Sequence, residues 1–257
     1  MKQVLDPETP AAAFRIEPSA KNIMTLPGVS PVLNGFDENA VEAALRLKDK
    51  IDANVTVLSL DSKFFMDVIK KPLSVGADHL VLLEDEALGD LDSYATAYVL
   101  SEAIKKIGQF DIILCGRQAS DWDGAQVPQG IAEMLGLPCI TVAKKLELVQ
   151  GRLVVHRVIP DGYEVVEASL PVLVTVTNEL GDLRYATLKG IMAAGRIVPA
   201  IWGAADLELE SAGLAPRIKV TSLSVPQAEP YCVFIEGENN ADAGRQLASK
   251  LRSDKLI

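Results

Sequence analysis

Along residues 38–51, ENAVEAALRLKDKI, apolar side chains recur at Val41, Ala44, Leu45 and Ile51 with charged residues between them, the stripe of an amphipathic helix. NVTVLSL at 54–60 is short and β-branched, which predicts a strand. A helix is expected from Ser62 to about Ser74, with Pro72 in a position to end it early. Gly76-Ala77-Asp78 then turns the chain into a second strand, HLVLLE. Asp92 or Ser93 is placed to cap a helix running to Ile107, and Gly108 suits its stop. DIILC reads as a strand, AQVPQGIAEML as a helix broken or begun near Pro128, and CITVA as another strand. This alternation from Asn54 to Ala143 is the mark of a parallel sheet with helices on both faces. Its strands are near-continuous in apolar residues, as double coverage requires.

After Lys144 the rhythm shortens. KLELV, RLVVHRVI and EVVEASL predict antiparallel strands, the last two joined by a turn at Pro160-Asp161-Gly162, and PVLVTVTN returns to a buried strand. Beyond Arg196 the pattern thins, with Pro199, Pro216, Pro226 and Pro230 interrupting regular structure, before a helix expected over about 242–256. The expected organisation is a core over 1–195 and an arm over 196–257 that has too little apolar pattern to fold alone.

Composition narrows the class. The 257 residues are 49% hydrophobic and 5% aromatic, so the core must be built of Leu, Val, Ile and Ala. A formal net charge of −10 argues against general nucleic-acid binding, which needs clustered Lys and Arg to neutralise phosphates. No apolar run approaches the roughly 18 residues of a bilayer span, and MKQVLDPETP has no apolar segment behind its lysine, so neither a membrane-spanning segment nor a secretory signal is expected. Cys115, Cys139 and Cys232 are widely spaced and odd in number, two of them in apolar runs. They predict buried thiols in a cytoplasmic protein rather than disulfides or a metal site.

The candidate chemistry sits after the strand ending at Cys115. In an open parallel sheet, ligands bind outside the carboxyl ends of strands, where helix N-termini point. Gly116 permits close backbone approach, and the amides of Gly124, Ala125, Gln126 and Val127 at a helix start suit a phosphate. Asp121 and Asp123 would repel an anion and serve better as helix caps or as acceptors for ribose hydroxyls. Gln118 and Gln126 both donate and accept. A bland alternative has the aspartates capping the helix and the glycines serving the turn, because this is neither a P-loop nor G-x-G-x-x-G. A metal pair at Asp121 and Asp123 is disfavoured, since the two histidines, His79 and His156, fall in expected strands.

These residues resemble a family. LCGRQASDWDGAQVPQGIAEMLGLP is similar to the nucleotide loop of electron transfer flavoprotein β subunits, G-[RK]-Q-A-x-D-x-D-x-x-Q. SLPVLVTVTNELGDLRYATLKGIMAA, PVLNGFDENAVEAALRLKD and SVGADHLVLLED resemble further elements of that family, in order along nearly the whole chain. The resemblance implies an open, mostly parallel α/β fold of the Rossmann-like, adenine nucleotide alpha hydrolase-like kind, with a C-terminal arm packing on a partner. It implies a heterodimer with an α subunit, with which FAD is shared. Electrons would come from acyl-CoA or related dehydrogenases and pass to a quinone oxidoreductase or another acceptor. A structural AMP, or a second FAD in bifurcating members, would occupy the β pocket, and the GRQ and AQV forms lean towards the bifurcating or anaerobic branch. The chain would then be a carrier subunit with no general base, nucleophile or metal of its own.

Carried over residue by residue, the nucleotide contacts fall on Asn34, Gly35, Phe36, Asp37 and Leu60, and on Gly116, Arg117, Gln118, Ala119, Ser120, Asp121, Trp122, Asp123, Gly124, Ala125, Gln126 and Val127. The partner-docking loop falls on Arg184, Tyr185, Ala186, Thr187, Leu188, Ile191 and Met192, with Leu188 as the apolar anchor. Without the resemblance, Leu188 would read as a core leucine; Cys115, at a strand end, reads as a small packed residue rather than a redox thiol.

The sequence departs from the family at three places. The family's first strand precedes K-[QR]-V, whereas Lys2-Gln3-Val4 follow Met1, so either the start is misassigned or a strand forming one wall of the pocket is missing. Gly35 replaces the usual proline after Asn34, and Pro160 stands where an acid is usual, although Arg157, Asp161, Gly162 and Glu164 keep the pattern. Two other classes compete. An ATP-hydrolysing or adenylating enzyme would show an S-G-G-x-D loop after its first strand, which is lacking. A nucleotide-binding stress or regulatory protein without a redox role would not need the tail after Arg196.

Overall fold

The computed structural model describes residues 1–17, 22–26, 28–224 and 232–257; Pro226 and Pro230, expected to interrupt the arm, lie outside them. In chain order come β1 (Gln3–Val4), β2 (Phe14–Glu17), β3 (Asn22–Thr25), β4 (Val32–Leu33), α1 (Gly35–Lys48), β5 (Thr56–Asp61), α2 (Met66–Ile69), α3 (Lys71–Val75) and β6 (His79–Glu84). Then follow α4 (Ser93–Ile107), β7 (Ile112–Gly116), α5 (Val127–Leu135), β8 (Cys139–Val149), β9 (Arg152–Ile159), β10 (Gly162–Ser169) and β11 (Val172–Val176). The last are α6 (Leu188–Arg196), β12 (Ala200–Trp202), α7 (Ser211–Leu214) and α8 (Asn240–Ser253).

Local chemistry explains most boundaries. Asp92 accepts from the Ala95 amide at 2.9 Å and starts α4, while Gly108, at φ 107°, ends it where a side chain would be strained. The single helix expected over 62–74 is instead α2 and α3. Pro72 lies in the first turn of α3, where its missing amide hydrogen has no intrahelical partner to lose, so it starts a helix instead of ending one. The strands CITVA and KLELV are one strand, β8. It pairs parallel with β11 and then antiparallel with β9, the change being made at a bulge between Ala143 and Lys145.

The fold is α/β with open sheets, but the expected single parallel sheet is two. One is five-stranded and mixed, ordered β10-β9-β8-β11-β7; the other is three-stranded and parallel, ordered β12-β6-β5. Alternation of strands and helices predicts parallel crossovers, not which strands become neighbours, and β5 and β7 each form an edge. The amino group of Met1 donates to the Leu58 carbonyl of β5 at 2.6 Å, and its charge is felt at the Cys115 thiol of β7.

Helices seal the faces. Ala40 and Ala43 of α1 pack on Ile140, Val174 and Val176 of the five-stranded sheet, small residues allowing close approach. α4 serves both sheets. Its Ala97 and Ile104 join Leu173 and Ile131, and its Val99 and Ala103 join Leu83 and Leu88, with Leu58 common to both clusters. The first compact unit runs Met1–Thr221, past the expected limit near residue 195, because β12 adds to β6 and Leu207 is buried beside Leu83. The second unit, Ser222–Ile257, contains α8, which has no buried residue. Among the described residues no helix is long and apolar enough to cross a membrane. The expectation of buried thiols fails at Cys139 and Cys232, which are exposed; Cys139 opens β8, so its side chain meets solvent at a strand end. Cys115 keeps some accessible surface as a residue, yet desolvation of the thiol pushes its pKa up to about 12.

Candidate nucleotide site and docking helix

The loop between β7 and α5 is fastened to the start of α1. Asn34, almost wholly buried, donates from Nδ2 to the Gln118 carbonyl at 2.8 Å and accepts at Oδ1 from the Ser120 amide at 3.1 Å. Asp37 accepts from the Gly116 amide at 3.0 Å through Oδ1 and from the Lys2 amide at 2.8 Å through Oδ2. A Cβ on Gly116 would lie 2.6 Å from both Asp37 Oδ1 and the Phe36 carbonyl carbon, so only glycine permits this approach. Arg117 stacks over the Phe36 ring at 5.0 Å. Asn34, Phe36 and Asp37 therefore meet the loop directly, but the polar atoms of Asn34 and Asp37 are occupied by the chain itself. Gly35 is exposed, and Leu60 packs elsewhere, in the cluster with Leu83, Leu88 and Val99.

Further along the loop, Asp121 pairs with Lys2 at 2.6 Å, and Asp123 accepts from Gln118 Nε2 at 2.6 Å. Neither caps α5, which corrects the bland reading. The residue before α5 is Gln126, whose side chain makes no cap and instead accepts from Ser93 Oγ at 2.6 Å. Asp123 and Ala125 both hold φ near 49°, a left-handed conformation costly for residues with a Cβ. Among the described residues other than its chain neighbours, Gly124 between them has no atom within 4 Å of where its Cβ would lie. Trp122 is 64% exposed at the loop's tip. Among the described residues no group of His, Cys, Asp and Glu is placed to hold a metal ion.

The second candidate region is a helix where a loop was expected. Thr187 caps α6 by accepting from the Gly190 amide at 3.0 Å. Gly190 and Ala194 face inward: a Cβ on Gly190 would lie 2.2 Å from the Ser74 carbonyl oxygen, and Ala194 is buried among Leu73, Ile69 and Leu82. The opposite side exposes Leu188 (76%), Ile191 and Met192, and Tyr185 just before the helix is 97% exposed. Leu188 is thus no core residue.

Arg184 faces inward. Its guanidinium donates twice to Glu42, at 3.0 and 3.2 Å, and twice to Asp49, at 3.2 and 2.8 Å, both residues projecting from α1 or its end. Burial works to raise the Glu42 pKa, but hydrogen bonds from Arg184 and Arg46 outweigh it and hold the carboxyl below its ordinary value. Reading for surface recognition, the sequence assigned Arg184 outward and passed over Glu42. The spacing of Asn39, Glu42, Arg46 and Asp49 along one helical face was the available signal.

An α/β protein has here been built around an open, amide-lined loop, with a separate exposed apolar helix face. The family described as Electron transfer flavoprotein domain matches residues 28–207. The β subunit of the electron transfer flavoprotein from Thermoanaerobacterium thermosaccharolyticum is 38% identical over 95% of this chain and 94% of that one. The corresponding subunit from Megasphaera elsdenii is 37% identical over 100% and 98% of the two chains. Subunit CarD of the caffeyl-CoA reductase-Etf complex from Acetobacterium woodii is 36% identical over 95% and 94%. The chain belongs to the electron transfer flavoprotein β subunit family.

Proposed function

We propose that this chain is the β subunit of a heterodimeric electron transfer flavoprotein, with a structural nucleotide at the 116–127 loop and a dehydrogenase docking on α6. The observation that carries the nucleotide assignment is the uncapped start of α5. The amides of Gly124, Ala125, Gln126 and Val127 have no partner among the described residues, while the neighbouring α4 is capped by Asp92. Such amides at a helix start favour a phosphate. The carboxylates that would repel it are engaged by Lys2 and Gln118. The open space at Gly124 leaves room for a ligand to approach the backbone. FAD shared with the α subunit supplies the redox chemistry when bound, and residues of this chain position the nucleotide and the partners.

On this reading AMP or a second FAD fills the β pocket, the latter if the complex bifurcates electrons. An acyl-CoA or related dehydrogenase meets Leu188, Ile191 and Met192, and a quinone oxidoreductase or other acceptor receives the electrons. The segment after Thr221 packs on the α subunit, which is supported by an α8 that buries none of its own residues. The fold is then of the Rossmann-like, adenine nucleotide alpha hydrolase-like kind, and the protein works in the cytoplasm. The test is to purify the αβ complex, release its nucleotides and count FAD and AMP per heterodimer. One FAD with one further AMP or FAD is expected, and Gly124→Val should lose the further nucleotide alone. A wild-type complex with a single FAD and no second nucleotide would remove the assignment.

A further inference from the structure

Between the end of β11 and α6 the chain has no regular strand or helix over 182–187, the run that leads into the first turn of α6. Among the described residues, side chains of one face of α1 hold this run at Arg184 and the turn just before it. Asn39 Nδ2 donates to the Gly181 carbonyl at 2.8 Å, and Arg46 donates to the Leu180 carbonyl at 2.7 Å and to Glu42 at 2.8 Å. Arg184 closes the set, with its own amide donating to Glu42 at 3.1 Å besides the paired guanidinium bonds to Glu42 and Asp49. The Glu42 side chain is 6% exposed, so its end of the clamp is held out of bulk water and little screened by salt, whereas the Asp49 end is open to solvent. The planar fork of arginine fixes direction as well as distance, because two parallel donors to each carboxylate leave little freedom of rotation.

We propose that Glu42 and Asp49 are positioning residues for partner docking: by gripping Arg184 four residues before Leu188, they preset the approach of the exposed apolar face of α6. The proposal rests on the reading of α6 as the docking face. The rest of α6 is seated independently, through Gly190 against the Ser74 carbonyl, buried Ala194, and Lys70 donating to the Ile197 carbonyl at 2.8 Å. Releasing the clamp therefore frees the entry to the helix and its first turn while leaving the helix attached. A docking face that must be ordered on each encounter binds more weakly by the fraction of time it is competent. A preset one avoids that loss.

The experiment uses the αβ complex carrying Glu42→Gln, and separately Asp49→Asn, which lies at the exposed end of the clamp. Two quantities are read: amide hydrogen exchange over 181–196, and reduction of the complex by an acyl-CoA dehydrogenase of the source organism with its acyl-CoA saturating. In Glu42→Gln, exchange over 181–188 should accelerate at least about tenfold while 190–196 changes little. The apparent KM for the complex should rise about tenfold with kcat within about twofold, as expected if the competent fraction falls to roughly a tenth. Asp49→Asn should move both in the same direction by about threefold, and it decides the matter if Glu42→Gln does not assemble. Unchanged exchange, or faster exchange with unchanged KM in a complex where Leu188→Ala does raise KM, overturns the proposal. If Leu188→Ala also leaves KM unchanged, the docking face itself is misassigned, and the proposal falls with it for that separate reason.

Discussion

The nucleotide loop and the docking segment both hang on α1, one on its start and the other on its later turns, yet they are prepared for recognition in opposite ways. At the loop, side chains are engaged by the chain itself: Asn34 and Asp37 bind the loop's backbone, Asp121 and Asp123 are tied to Lys2 and Gln118, and the amides of Gly124 to Val127 have no partner among the described residues. At the docking segment, the backbone and Arg184 are bound, and apolar side chains are left uncovered. The lesson is that a site can be defined by what the fold declines to satisfy. Unpaired amides suit a small anion whose oxygens accept several hydrogen bonds, whereas uncovered Leu, Ile and Met suit a protein surface that removes them from water.

The sharpest way to break this comparison is at Gly116, where the loop meets α1. Gly116→Val places a side chain against backbone atoms that cannot swing aside, and overpacking of this kind costs about 1–3 kcal/mol or more. The expected result is a clear fall in unfolding midpoint together with loss of the bound nucleotide; an unchanged midpoint would show that the loop does not rest on α1 as described. Leu188→Ala should do the reverse. Removing the anchor forfeits apolar burial worth about 1.5–3 kcal/mol on docking, seen as a raised KM for the dehydrogenase. The unfolding midpoint should stay put because the side chain is already in solvent. Were Leu188 supporting the core, the loss would appear as roughly 2–5 kcal/mol of folding stability instead.

Smaller effects sharpen the contrast. Ala125→Gly relieves a left-handed alanine, and the nucleotide-free protein should gain up to about 1 kcal/mol in denaturant unfolding, the relief being partly offset by a freer unfolded chain. A loss of stability would mean that Ala125 makes contacts that outweigh its strain. Acid should act on the docking segment through Glu42. Its folded pKa is lowered, so its contribution is fully present above the ordinary carboxyl value and is lost as pH falls through the lowered folded one. Arg184, Arg46 and Asp49 face it, and Asp49 is lowered in the same way, first by its hydrogen bond from Arg184. The stability difference between wild type and Glu42→Gln should therefore shrink below pH about 4.5. A constant difference from pH 7 to 3 would show that Glu42 is not held as the carboxylate.

Much was legible from the chain alone, and for local reasons. Periodicity, caps and glycine stops act within a few residues, so α4 begins at its Asp92 cap and ends at Gly108, and β6 and β9 fall where their apolar runs do. The loop's place was likewise readable, because an apolar run ending in glycine before a polar stretch and a helix is a local pattern. The family resemblance carried the rest of the site's outline, including the exposed Leu188. What only the tertiary structure decided depends on partners distant in sequence. Strand order split one expected sheet into two, since alternation does not specify which edges pair. Asp121 and Asp123 found Lys2 and Gln118 rather than the α5 amides, and Arg184 turned to Glu42 and Asp49, 142 and 135 residues away. A charged side chain at a surface segment reads as outward-facing until the fold brings an opposite charge within reach, because the energy of that choice lies in a contact no local pattern encodes.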